Sequence, residues 1–347
     1  MISHDLAGKH VLLLMPNFFN YSKILIDELE GRGAIVDFIE NKQLPFDFVS
    51  PRCKFRFLRK LVFTIFDLKW NYIKKQLYPK KRYDYFLCIN GFLFDKRIIS
   101  KLKESNSSIK TILYLWDSTD MFEWKGIENF FDKSFSFDPR DSKKLKIQYI
   151  ANFYPKNVVK DEFRNNDIFF VGTQHSDRYE VLKKVVENNN VSINNIKLLI
   201  KYKNGIHNKF LYHFLRKFNN PFSLNYAKNY ELIEKLRRDP FLMYSPISSD
   251  TILNLMNESR FVLDIQAPNQ VGIPHQMMRA LSMGKQIITT NSWIKNYEFY
   301  NTKQILIIDR NNPVLSKEFL ESDFQIDEIH DVIKKSKIDN WIDIIFS

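Results

Sequence analysis

Two stretches of this chain carry residue types suited to holding an anion. In FFVGTQHSDR, residues 169–178, an apolar run ends at Gly172 and is followed by Thr173, His175, Ser176 and Arg178. In IQAPNQVGIPHQMMRALSMGKQIITTN, residues 265–291, a loop with Gln270, Gly272, Ile273, Pro274 and His275 leads into a helical pattern that carries Arg279. A helix start presents free N–H groups and a partial positive charge, so it attracts phosphate oxygens. Hydroxyls and an imidazole add donors, and arginines add fixed charge. Each glycine is read as letting a ligand approach the backbone. Plainer roles exist for both loops: Ser176 or Asp177 as a helix cap, His275 as another, and Met277 and Met278 as core fillers.

Proton transfer needs a different residue type. Asp117 ends the apolar run TILYLW, and Trp116 beside it would limit hydration; burial there would raise its pKa toward a useful value for a general base. Asp138, after FSF, is the second choice. Asp117 could equally serve as a cap or a loop hydrogen-bond partner.

The elements that must position these residues form a repeated β/α pattern. Short apolar runs at 9–15, 34–39, 85–89, 111–116 and 134–137 each end in a polar or turn residue, with helical spacing at 21–32 and 95–104 between them. The pattern restarts after a polar stretch near 152–166, with strands expected at 167–171, 195–202, 261–266, 286–290 and 304–309. Helices are expected at 177–186, from a Ser248–Asp250 cap to Glu258, at 275–283 with Gly284 as the stop, and in the tail 323–346. The stretch 204–246 is basic, aromatic and mostly helical. Alternation of this kind implies parallel sheets, whose strand carboxyl ends face the ligand crevice. The expected architecture is α/β: two Rossmann-like domains, 1–155 and 156–347, facing across a cleft, with the helical tail free to return to the first.

Composition narrows the partners. Of 347 residues, 44% are hydrophobic, enough for two cores and against general disorder. Cys53 and Cys88 are the only cysteines, so a disulfide framework is excluded and a reducing compartment expected. The apolar run near residue 12 is too short for a signal segment or a membrane span, so a cytoplasmic protein is expected. Of the net charge of +12, residues 52–82 hold +10: eleven basic residues against Asp67 alone, interleaved with aromatic and aliphatic side chains. That pattern fits peripheral contact with an anionic membrane surface, and also a helix packed on its own domain with a solvated basic face. Nucleic acid would suit the charge, but nothing else supports that partner and none is expected. The chain has no G-x-G-x-x-G after a strand, no Walker-type loop and no G-x-S-x-G elbow.

The words FFVGTQHSDR, VLDIQAPNQVGIPHQMMRALSMGKQIITTN and FYNTKQILIIDR, with the weaker LLLMPNFFNY, DFIE, YLWDS and FSFDPRD, resemble bacterial GT-B glycosyltransferases of capsule, exopolysaccharide and lipopolysaccharide assembly. The resemblance covers most of the chain. It implies transfer of a sugar from a nucleotide-activated donor on the second domain to a glycan or lipid-linked acceptor against the first. It implies no resident cofactor and, with no clean DxD near a strand end, no metal. The family often carries a ribose-binding Glu on the 275–283 helix; this chain reads RALSMGK there, so Arg279 stands in that place. The resemblance then implies either a phosphate or sugar carboxylate on Arg279, or a lost activity. Two rivals stay open, a sugar-nucleotide epimerase and a non-catalytic sugar- or nucleotide-binding module.

Overall fold

A computed structural model describes residues 5–17, 20–41, 68–77, 81–90, 96–119, 126–155, 165–174, 176–189, 196–199, 247–322, 324–325 and 328–347, with scattered residues between 212 and 245. Its first half builds a six-stranded sheet. The strands are β1 (His10–Met15), β2 (Ile35–Glu40), β3 (Tyr85–Ile89), β4 (Lys110–Leu115), β5 (Lys133–Ser136) and β6 (Gln148–Tyr149), in the order β2-β1-β3-β4-β5-β6. Every pairing is parallel. Strands β3 and β4 are apolar almost throughout because helices cover both faces, as a parallel sheet requires. Those helices are α1 (Tyr21–Gly31), α2 (Leu68–Gln76), α3 (Arg97–Ser105) and α4 (Pro139–Leu145).

The second sheet holds β7 (Asn165–Thr173), β8 (Ile196–Leu199), β9 (Leu242–Met243), β10 (Ser259–Asp264), β11 (Gln286–Thr289) and β12 (Ile305–Ile307), all parallel, in the order β12-β11-β10-β7-β8-β9. Counted from β7, this is the doubly wound order with its switch point between β7 and β10. In the first sheet the order reverses between β1 and β3. Helices α5 (Arg178–Asn189), α6 (Ser249–Glu258) and α7 (His275–Ser282) cross between these strands. Ser248 caps α6 by accepting from Thr251 N, and Gly284 ends the turn after α7 with φ 66°.

The expected helical tail is broken into α8 (Lys317–Glu321), α9 (Asp331–Lys335) and α10 (Ile338–Phe346). Helix α10 belongs to the first domain: Trp341, Ile342, Ile345 and Phe346 are buried among Leu29, Tyr85, Tyr114 and Phe153. Arg32 pins it through Asp343 Oδ1 at 2.5 Å and the Asp339 carbonyl at 2.6 Å. The chain therefore crosses between domains twice, and the two crossings are bonded to each other. Tyr154 N donates to the Ser336 carbonyl at 2.9 Å, and Ile338 N to the Tyr154 carbonyl at 3.0 Å.

Most of the basic segment 52–82 lies outside the described residues. Within it, Ile73 of α2 and Leu77, the residue after that helix, are buried in the first core, Lys74 and Lys75 are exposed, and Lys81 pairs with Asp37 at 2.5 Å. No helix among the described residues is long and apolar enough to cross a membrane.

Candidate active site between the two sheets

The carboxyl ends of the two sheets meet across the domain boundary. On the first side, β3 ends in Asn90 and β4 runs into Trp116 and Asp117. Asn90 Nδ2 donates to Asp117 Oδ2 at 2.6 Å. Burial raises the Asp117 pKa from 3.8 to about 6, and hydrogen bonds from Asn90 and Trp116 restrain the rise. A half-buried carboxylate held near neutrality can accept a proton and release it again.

Asp138 is placed differently. It is fully buried and caps α4, accepting from Arg140 N at 2.9 Å and Asp141 N at 3.4 Å. Its pKa is raised by burial and by the nearby Asp141. The D-P pair thus reads as a helix start, with Pro139 in the first turn. Asp138 is a structural cap here, in place of the second-choice base.

On the second side, the loop 265–274 is held by its own chain and by the facing domain. Gln266 Nε2 donates to the Gly272 carbonyl at 3.3 Å, and Asn291 Nδ2 and the Tyr297 hydroxyl donate to the Val271 carbonyl at 3.1 and 3.0 Å. Gln270 is fixed by its N–H to the Ala267 carbonyl at 3.2 Å. Asn152 Nδ2, from the first crossing, donates to the Ile273 carbonyl at 3.0 Å, and Arg140 reaches the Asn269 carbonyl. These bonds, two of them to the other domain, offset the ordering of a polar loop.

Both glycines make room for the protein itself, which corrects the expectation of a ligand at either. A Cβ at Gly272 would lie 2.4 Å from Phe137 Cε2 of the facing domain. A Cβ at Gly172 would lie 3.0 Å from a guanidinium nitrogen of Arg178. Arg178 folds back over Gly172 and donates to the Thr173 carbonyl at 2.8 Å and the Ile265 carbonyl at 2.8 and 2.6 Å. It thereby ties the two expected anion loops together at the β7/β10 switch point. Burial lowers its pKa to about 10, so it stays charged as an internal clamp. Thr173 Oγ1 is buried without a hydrogen-bond partner among the described residues, and Ser176 sits in a left-handed turn at φ 47°. His175 lies outside the described residues.

Helix α7 starts at His275 with Pro274 in the cap position and no side-chain cap. His275 Nδ1 bonds the Phe153 carbonyl at 2.7 Å, and its ring stacks on Tyr21 at 4.3 Å and meets Trp116 edge-on at 5.4 Å. Burial depresses its pKa to about 4. The ring is therefore neutral here and can still act as a donor; its Nε2 is buried with no hydrogen-bond partner among the described residues. Met277 and Met278 are core residues, as expected. One turn along α7, Arg279 is half-buried, and its charge is felt at the Tyr21 hydroxyl and in turn feels Asp250 of α6.

The structure thus brings Asn90, Trp116, Asp117 and Tyr21 of the first domain together with His275 and Arg279 of the second. Tyr21 carries no sequence signal for this place. Asn90 carried one, the Asn-Gly pair that marks a strand end.

Neither family models nor curated proteins match the chain. Solved structures do. OtsA in its apo form is 10% identical over 98% of each chain, with a TM-score of 0.53. The lipopolysaccharide outer core galactosyltransferase WaaB, also apo, is 12% identical over 97% of this chain and 99% of that one, at 0.48. The S. aureus MnaA–UDP complex is 10% identical over 97% and 94%, at 0.48. Two parallel Rossmann-like sheets apposed at their carboxyl ends, with a C-terminal helix returned to the first domain, make this a GT-B fold.

Proposed function

We propose that the protein is a glycosyltransferase that moves a sugar from a nucleotide-activated donor to a hydroxyl of a glycan acceptor. The observation that carries this reading is Asp117, raised to about 6 by burial, next to Trp116, whose ring meets His275 of α7 edge-on across the domain boundary. The acceptor hydroxyl gives its proton to Asp117 as its oxygen bonds the anomeric carbon. The bond from that carbon to the phosphate oxygen breaks, and the departing nucleotide carries negative charge. Arg279 and the uncapped start of α7 are the groups suited to take up that charge, with Thr173 as a further hydroxyl donor. A single displacement of this kind inverts the anomeric centre. A lipid-linked acceptor at a membrane surface, met through residues 52–82, fits the charge of that segment.

The test is a thermal-shift and calorimetric screen of nucleotide sugars on the full chain, followed by transfer assays with the binders. A donor at a hundred times its dissociation constant stabilises the fold by about 2.7 kcal/mol. If no nucleotide sugar raises the melting temperature, the reading fails. One rival is a binding module without turnover, suggested by Arg279 standing where the family often carries a Glu. Donor hydrolysis without acceptor separates the two, because only an enzyme releases free sugar.

A further inference from the structure

Asn90 has four properties that a strand-end residue seldom combines. It is 5% exposed, and it holds a left-handed backbone at φ 55°, which few residues other than glycine adopt. It stands at the end of β3, beside the β1/β3 switch point where open α/β sheets bind ligands. Its side chain has one half committed and one half unused. A carboxylate only accepts, so the amide nitrogen must be the atom facing Asp117 Oδ2 at 2.6 Å. The carbonyl Oδ1 then points elsewhere, and it is buried with no hydrogen-bond partner among the described residues. An unsatisfied buried carbonyl is unfavourable unless a donor arrives. The backbone conformation is fixed independently, since Asn90 N donates to the Tyr114 carbonyl at 2.8 Å.

We propose that Asn90 is the positioning residue of this site, orienting Asp117 through its amide and receiving a second, neighbouring hydroxyl of the same carbohydrate on its Oδ1. The ligand class is a sugar with vicinal hydroxyls, one delivered to Asp117 and one to Asn90. This rests on the transferase reading for what Asp117 does next, though not for the pairing itself. The amide bond also restrains the Asp117 carboxyl from rising further, so its loss leaves a recognisable trace.

Asn90→Gly is the cleanest variant, because glycine accepts the left-handed backbone and removes only the side chain. The Asp117 carboxyl is titrated by carbon-13 NMR in the full chain, with no turnover required. Its midpoint should move up by about half a unit to one unit in the variant. A midpoint that stays put overturns the positioning role. The hydroxyl role is read by saturation transfer from the methyl glycosides of glucose, galactose and N-acetylglucosamine. At least one should bind the wild type and weaken about tenfold or more in Asn90→Gly. Equal binding by both proteins, or no binding to the wild type, overturns it. Asn90→Asp, which keeps the shape but places a second carboxyl beside Asp117, should raise the midpoint further than Asn90→Gly; a smaller rise counts against the pairing. A shifted midpoint in a chain that transfers no sugar would sink the transferase reading and leave the Asn90–Asp117 coupling standing.

Discussion

On the proposed reading Asp117 is the base, and the stability cost of its burial has a definite sign. Its folded pKa of about 6 lies above the ordinary 3.8, so the folded chain keeps the proton longer than the unfolded one. Stability therefore falls as pH rises from about 4 to about 6, by up to about 3 kcal/mol, and stays level above. Asp117→Asn should remove that loss: it should melt higher than the wild type at pH 7.5 and lose the advantage near pH 4 in paired thermal scans. The same change should reduce transfer by about 100- to 10,000-fold, and wild-type transfer should climb through pH 6 as the base deprotonates. Arg279→Ala is expected to weaken donor binding by about 10- to 100-fold in calorimetry, the magnitude of a hydrogen bond to a charged group. A donor affinity unchanged by that substitution would remove Arg279 from the site.

Helix α7 and its loop show where local signals stop. The bounds of α7, its Gly284 stop, the Ser248 cap and the strand Tyr85–Ile89 were legible because spacing, caps and turn residues act over a few positions. What fills the space at Gly272 was not, because Phe137 lies far away in sequence and reaches it only when the domains meet. The same holds for His275, whose neutral state depends on Tyr21, Trp116 and Phe153. A glycine in a polar loop signals a close approach; it does not say by what. The contact makes its own prediction. Gly272→Ala should cost about 1–3 kcal/mol by overpacking against Phe137. Combining it with Phe137→Leu should give less than the sum of the two single effects in a double-mutant cycle.

At the scale of the molecule, the basic segment and the returning helix make separate claims. If 52–82 meets an anionic surface, the full chain should sediment with phosphatidylserine vesicles at low salt and release at high salt, since each basic residue adds roughly 1 kcal/mol near such a surface. Vesicle binding that ignores salt, or none at all, would leave only the packed face seen at Ile73 and Leu77. The returning helix α10 is core material, so Trp341→Ala should cost about 3–5 kcal/mol even though Trp341 is remote from Asp117 in sequence and belongs to the last turns of the chain. The paired crossings at Tyr154 and 336–338 carry a different implication. Because the backbone passes between the lobes twice, side by side, the polypeptide closes a circuit. A protease site engineered between Tyr154 and Asn165 would sever one leg and leave the other as a tether, and the two pieces should migrate as a single particle until denaturant is added.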